Sequence, residues 1–126
     1  MEVSEMNKIT VSDYEAVVNV VNKYIESCKE GKSDIMKPSF AKNALMYGYL
    51  NGQLFNGSIE ALYSAVDQFG PAPDAVTRID VLSIEGTAAT VRVVLENWHG
   101  ISFTDFHNLL KIDGEWKIIA KVFHQY

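Results

Sequence analysis

The chain of 126 residues is 48% hydrophobic and 21% charged, the proportions of an ordinary folded globule and too apolar for a disordered one. Its net charge of −5 argues against a nucleic-acid backbone as partner, and no apolar run approaches the ~20 residues a membrane helix needs. The lone cysteine, Cys28, excludes an internal disulfide; with an N-terminus that lacks a basic stretch followed by an apolar one, it sets the expectation of a cytoplasmic protein, and the length that of one domain over 1–126.

The first predicted element is a helix opening at Ser12, which with Glu15 has the spacing of a capping box. Tyr14, Val17, Val18, Val21, Ile25 and Cys28 recur every three or four residues and form one apolar face, and Gly31 suits a left-handed stop. A short helical turn follows over Ser33–Met36, limited by Pro38. Residues 40–44 read as a connection and Ala44–Tyr49 as a strand. Asn51-Gly52 is a turn dipeptide and Gln53–Phe55 the return strand. A second helix over 58–69 carries Ile59, Leu62, Tyr63, Val66 and Phe69 on one face and ends at Gly70-Pro71.

From Asp74 onward apolar and polar residues alternate, punctuated by Glu85-Gly86, His99-Gly100 and Asp113-Gly114. Each pair can centre a two-residue hairpin turn, which predicts four antiparallel strands over 75–84, 87–98, 101–112 and 115–125. Helices first and a meander second imply an α+β fold with helices on one sheet face. Two-residue turns also fix pairing. Arg92 should face His107, Val94 face Asp105 and Glu96 face Phe103. Across the next hairpin His107 should face Ala120, Asp105 face Val122 and Phe103 face His124.

That register puts Arg92, Val94, Glu96, Trp98, Phe103, Asp105, His107, Leu109, Trp116, Ile118, Val122 and His124 on the helix-covered face. Val91, Val93, Leu95, Phe106, Leu110, Ile112, Ile119 and Phe123 fall on the other, with Lys117, Lys121, Thr104 and Asn108 between them. Both faces are substantially apolar, and a monomer rarely leaves a large apolar patch open, so a homodimer through the outer face is expected.

Charges on a covered face are costly unless paired or wet. Arg92, Asp105, His107 and His124 therefore read either as a network that holds the sheet in register or as the polar wall of a cavity. In a cavity, a carboxylate beside a histidine favours proton transfer near neutral pH. Tyr47, Phe55, Trp98 and Phe103 could supply flat aromatic walls, and Tyr14, Tyr24 and Tyr63 lie on helices that turn toward the sheet. Cys28 reads as core. His99, His107 and His124 lack metal-ligand spacing, and no glycine-rich phosphate loop or nucleophile elbow is present, so neither metal nor cofactor is expected.

The stretch FTDFHNLLKIDGEWKIIAKVFHQY, Phe103 to Tyr126, resembles the C-terminal hairpin of the putative lumazine-binding, SnoaL-like branch of the nuclear-transport-factor-2-like superfamily. The long first helix, FAKNALMYGYLNGQLFNG in the middle and TAATVRVVLENWHG before the hairpin are similar too, so the resemblance spans nearly the whole chain. It implies a cone-shaped α+β fold of the cystatin-like type: N-terminal helices packed in a curved, mostly antiparallel sheet, a pocket at the wide end, and usually a homodimer through the convex face. It implies a small-molecule binder holding a flat, partly apolar ligand, with Arg92 and His124 as polar contacts and Tyr47, Phe55, Trp98 and Phe103 as walls. The alternative is a metal-independent isomerase, dehydratase or polyketide-cyclase-like enzyme with Asp105 and His107 as its acid–base pair. A protein-interaction adaptor is the third reading. Fold alone does not choose among them.

Overall fold

The computed structural model describes residues 10–126. Helix α1 (Val11–Glu30) is capped by Thr10, whose side-chain oxygen accepts the Asp13 N–H at 3.0 Å, rather than by Ser12. Threonine and aspartate three residues apart offer the same capping chemistry two residues earlier. They prevail because the Asp13 carboxylate also accepts from Lys111 Nζ at 2.9 Å and Trp116 Nε1 at 3.1 Å, anchoring the helix start to the sheet. Gly31 ends the helix at φ 69°. Val17, Val21, Tyr24, Ile25 and Cys28 are buried as the periodicity requires, whereas Tyr14 is half exposed.

Helix α2 (Ser33–Met36) and a 3₁₀ turn (Lys37–Ser39) lead into β1 (Phe40–Leu50), which starts four residues before the predicted strand because Phe40 already pairs with Ile118. After β2 (Gln53–Ser58) comes α3 (Glu60–Phe69), with Leu62 and Val66 buried. Asp67 of α3 accepts from the Ser33 backbone N–H at 2.8 Å and its hydroxyl at 2.7 Å, which docks the two helices. Strands β3 (Val76–Glu85), β4 (Ala88–Trp98), β5 (Ile101–Ile112) and β6 (Glu115–Gln125) then form the predicted meander.

Among the described residues the six strands make one curved, open sheet in the order β2-β1-β6-β5-β4-β3, antiparallel throughout except for the parallel β1–β6 pair. This is the α+β cone. The core lies between the concave sheet face and the helices, around Val17, Val21, Met36, Val91, Val93 and Ile118. Among the described residues no helix is long and apolar enough to cross a membrane.

The turns at His99-Gly100 and Asp113-Gly114 stand, but the first hairpin turns at Gly86-Thr87, since Glu85 pairs with Ala88. Beyond the turns the register departs from expectation at bulges, each of which adds a residue, bends its strand and reverses the inward set. In β4 the bulge lies between Leu95 and Trp98, with Asn97 at φ 58°; in β6 it lies between Ile118 and Ala120. Val91, not Arg92, faces His107, and Val93, not Val94, faces Asp105. Phe123 instead of Val122 pairs with Asp105, and Lys121 instead of Ala120 pairs with His107. Arg92, Glu96 and His124 therefore point outward and are exposed, while Val91, Val93, Leu95, Lys121 and Phe123 turn inward. Tyr47 is 45% exposed on the outer face of β1, where strand parity excludes it from the interior occupied by Met46.

Candidate functional site

Strand β5 carries no extra residue, so its alternation runs unbroken and delivers Phe103, Asp105, His107 and Leu109 to the concave side. Helix α1 brings Tyr24 above them. The bulge in β6 brings Lys121 beside them. These four polar groups form one cluster. Tyr24 donates its hydroxyl to Asp105 Oδ2 at 2.5 Å; His107 Nε2 lies 3.7 Å from the same oxygen, and Lys121 Nζ 4.0 Å from Oδ1. The His107 ring sits edge-on to Tyr24 at 4.6 Å between centroids, with Phe40 on another side at 6.4 Å.

Asp105 and His107 are fully buried and Lys121 is 6% exposed. Asp105 Oδ1 and both His107 ring nitrogens have no hydrogen-bond partner among the described residues. Native proteins rarely leave such atoms unmatched, so these three call for a small polar partner or a chemical role. Burial alone would push the Asp105 carboxyl up, but the Lys121 charge, His107 and the Tyr24 hydroxyl outweigh it and hold the group below the usual carboxylate range. Burial holds the His107 imidazole below its ordinary 6.5 against the pull of Asp105, so it is neutral at neutral pH. Burial and the Asp105 charge keep Tyr24 protonated well above its usual range. At the Cys28 thiol, burial raises the pKa to about 12, which leaves it inert as a nucleophile.

Above this cluster lies a cavity of about 60 Å³, against ~10–15 Å³ for one water. Its wall is apolar: Phe103, Phe123 and Trp98 from the sheet, Phe55 from β2, Leu62 and Val66 from α3. Tyr24, Cys28 and Lys121 supply its polar atoms, and Asp105 and His107 lie behind them. Trp98 is fixed there by donating its indole N–H to the Cys28 carbonyl at 3.2 Å. A shallower groove of about 240 Å³ over β2 shares Met46, Phe55 and Ala61 with the cavity and extends it outward. Phe123 reaches its place because its β1 neighbour is Gly48; a Cβ there would stand 2.6 Å from both the Phe123 ring and its carbonyl oxygen.

Of the residues proposed from sequence, the structure thus gathers Asp105 and His107 in the cluster and Phe55, Trp98 and Phe103 in the wall, and leaves Arg92, His124 and Tyr47 outside. Sequence reasoning missed Lys121 and Phe123, and held Tyr24 only among several tyrosines. No local signal marked the first two: alternation counted from Asp113-Gly114 turns both outward, and the bulge between Ile118 and Ala120 reverses them.

A family model described as putative lumazine-binding matches residues 12–124. An aldolase from Cladobotryum sp, FrzH, is 35% identical over 119 residues, covering 94% of this chain and 95% of that protein. Among solved structures, an NTF2-like protein of unknown function from Methylobacillus flagellatus KT is 39% identical with a TM-score of 0.90, over 94% of this chain and 96% of the other. Another from Shewanella baltica OS155 is 37% identical with a TM-score of 0.88, over 95% and 98%. A ketosteroid isomerase-like protein from Erwinia carotovora atroseptica, 15% identical with a TM-score of 0.70 over 92% and 98%, shares the fold.

Proposed function

This chain belongs to the putative lumazine-binding family, and from that premise we propose that it binds a small, mainly apolar carbonyl compound in the cone cavity and moves a proton on it. The observation that carries the reading is the buried Tyr24–Asp105–His107–Lys121 cluster at the floor of an apolar cavity. A mostly apolar pocket with a few convergent polar groups is the common make-up of a small-molecule site. Flat walls at Phe55, Trp98 and Phe103 suit a flat ligand, and the groove over β2 leaves room for its far end.

Lys121 is the cation that faces the cavity, and it stabilises negative charge developing on the carbonyl oxygen. The α-proton leaves to the Tyr24 oxygen as the Tyr24 proton passes along its 2.5 Å hydrogen bond to Asp105. Tyr24 is thus the relay that reaches the ligand, and Asp105 the final acceptor. An enolate so formed can isomerise, expel a leaving group or add to a second carbonyl. The aldolase name of a 35% identical relative favours the last, aldol-type outcome.

Asp105→Asn keeps the shape and removes the proton acceptor. Turnover of an aldol or retro-aldol substrate panel is expected to fall by about 10²–10⁴-fold, the usual range for a general base. Unchanged turnover contradicts the relay. The second reading, a binder without chemistry, is favoured by the position of Asp105 and His107 behind the cavity wall; it requires Asp105→Asn to weaken ligand affinity with no turnover in the parent protein.

The protein is further proposed to be a homodimer through the convex sheet face, where Tyr47, Phe106, Ile119 and Val122 are exposed together on neighbouring strands. Arg92 and His124 belong to that face and would lie at or near the interface.

A further inference from the structure

Lys121 is not placed as a simple counter-charge. A lysine kept to neutralise a buried aspartate would be expected to close to hydrogen-bond distance, about 2.7–2.9 Å. Lys121 Nζ instead stands 4.0 Å from Asp105 Oδ1, and that oxygen has no partner of its own among the described residues. The nitrogen is held between the Phe123 ring at 4.9 Å and the Tyr24 ring at 5.3 Å, with Met46 Sδ at 3.9 Å as its one hydrogen-bond contact among the described residues. A buried amine that lines an apolar cavity, with a carboxylate set back from it and a hydroxyl alongside, has the parts needed for covalent capture of a carbonyl.

We propose that Lys121 is a covalent nucleophile that captures its aldehyde or ketone ligand as an iminium ion. The inference rests on the carbonyl reading above and specifies how the carbonyl is held. The ammonium first gives one proton to Asp105 Oδ1. The amine lone pair then forms the C–N bond, the carbonyl π pair moves to oxygen, and a proton passes from nitrogen to that oxygen to give the neutral carbinolamine. The hydroxyl leaves as water with the proton from Asp105, while the nitrogen lone pair closes the C=N bond. The ammonium and the carbonyl compound have become an iminium and one water, and Asp105 is again a carboxylate. The iminium withdraws electrons from the neighbouring C–H more strongly than the carbonyl does, so the Tyr24–Asp105 relay takes the α-proton to leave an enamine.

The test uses cyclohexanone and acetylacetone with the full-length protein and with Lys121→Arg and Lys121→Met. Arginine keeps a positive charge beside Asp105 but forms no trappable imine, and methionine reports on loss of the charge. Thermal unfolding checks that each variant folds. Cyclohexanone with cyanoborohydride is expected to leave one reduced adduct, mapped by peptide mass to Lys121 and lost in both variants. Acetylacetone is expected to give the ultraviolet band of an enaminone in the parent protein alone. An adduct spread over the surface lysines, or one that persists in Lys121→Arg, overturns the proposal. Saturable binding of cyclohexanone by calorimetry without any trapped adduct also overturns it and leaves the non-covalent carbonyl reading standing. Neither binding nor adduct overturns both.

Discussion

Asp105 is the residue on which the account turns, and its surroundings make it costly to alter. It is fully buried, accepts the Tyr24 hydroxyl and balances the Lys121 charge. Removing one partner of a buried charge pair typically costs ~3–5 kcal/mol because the other charge is left uncompensated. Asp105→Asn is therefore expected to lower unfolding free energy by an amount in that range, and adding Lys121→Met to recover much of it; a double variant no more stable than Asp105→Asn contradicts the pairing. The pH dependence follows from the same cluster, where Tyr24, Asp105 and Lys121 all face His107. His107 binds its proton near 6.5 in the unfolded chain and more weakly when folded, so the unfolded state takes up more protons as pH falls below that value. Asp105 has a lowered folded value, so its contribution is complete above about 3.8 and is lost as pH falls toward that folded value. Urea unfolding should show stability falling in two stages on acidification, with a slope of at most about 1.4 kcal/mol per pH unit for each group. His107→Gln is expected to remove the upper stage and leave the lower; an unchanged upper stage shows that His107 is not its source.

Strands decide which residues reach the cavity, and they differ in how readable they are. Strand β5 has no extra residue, so the spacing of Phe103, Asp105 and His107 from the Asp113-Gly114 turn was sufficient to turn them inward. Strands β4 and β6 each carry a bulge between turn and site, and parity counted from the turn fails beyond it: Trp98, Trp116 and Ile118 lie on the near side and are inward as read, while Arg92 and His124 lie on the far side and are not. A bulge is chosen by tertiary curvature as much as by local sequence, which is why alternation alone did not show it. The β4 bulge left one trace, Asn97, a residue type that tolerates the left-handed backbone it adopts at φ 58°. Asn97→Gly is expected to be nearly neutral in thermal unfolding and Asn97→Val to cost roughly 1–2 kcal/mol or more, since a branched side chain resists that geometry. Equal stability of the two variants contradicts the bulge as placed. On β1, Gly48→Ala sets a methyl 2.6 Å from Phe123 and is expected to cost ~1–3 kcal/mol while displacing the Phe123 ring from the cavity wall. Quenching of the Trp98 region by a bound apolar fluorophore would register the displacement.

On the scale of the whole molecule, the order of helices and hairpins in the sequence implies an α+β fold with helices on one sheet face, and the family resemblance adds the cone, with which the family match agrees. The closure of that cone depends on the parallel β1–β6 pair, a contact between distant parts of the chain that no turn dipeptide announces. The proposed dimer places Phe106 and Val122 at its centre, so Val122→Glu is expected to convert a dimer to a monomer in light scattering without disturbing the cavity; a parent protein that is monomeric at micromolar concentration refutes the dimer. Val93, which strict alternation would have put on that face, is fully buried and would instead test the core. The central claim is that the cone holds a carbonyl group against Lys121. Its most direct test follows the magnetic resonance signal of cyclohexanone labelled at the carbonyl carbon as protein is added. The account predicts that the signal is displaced or consumed saturably by the parent protein and left unchanged by folded Lys121→Met, and identical behaviour with the two proteins would contradict it.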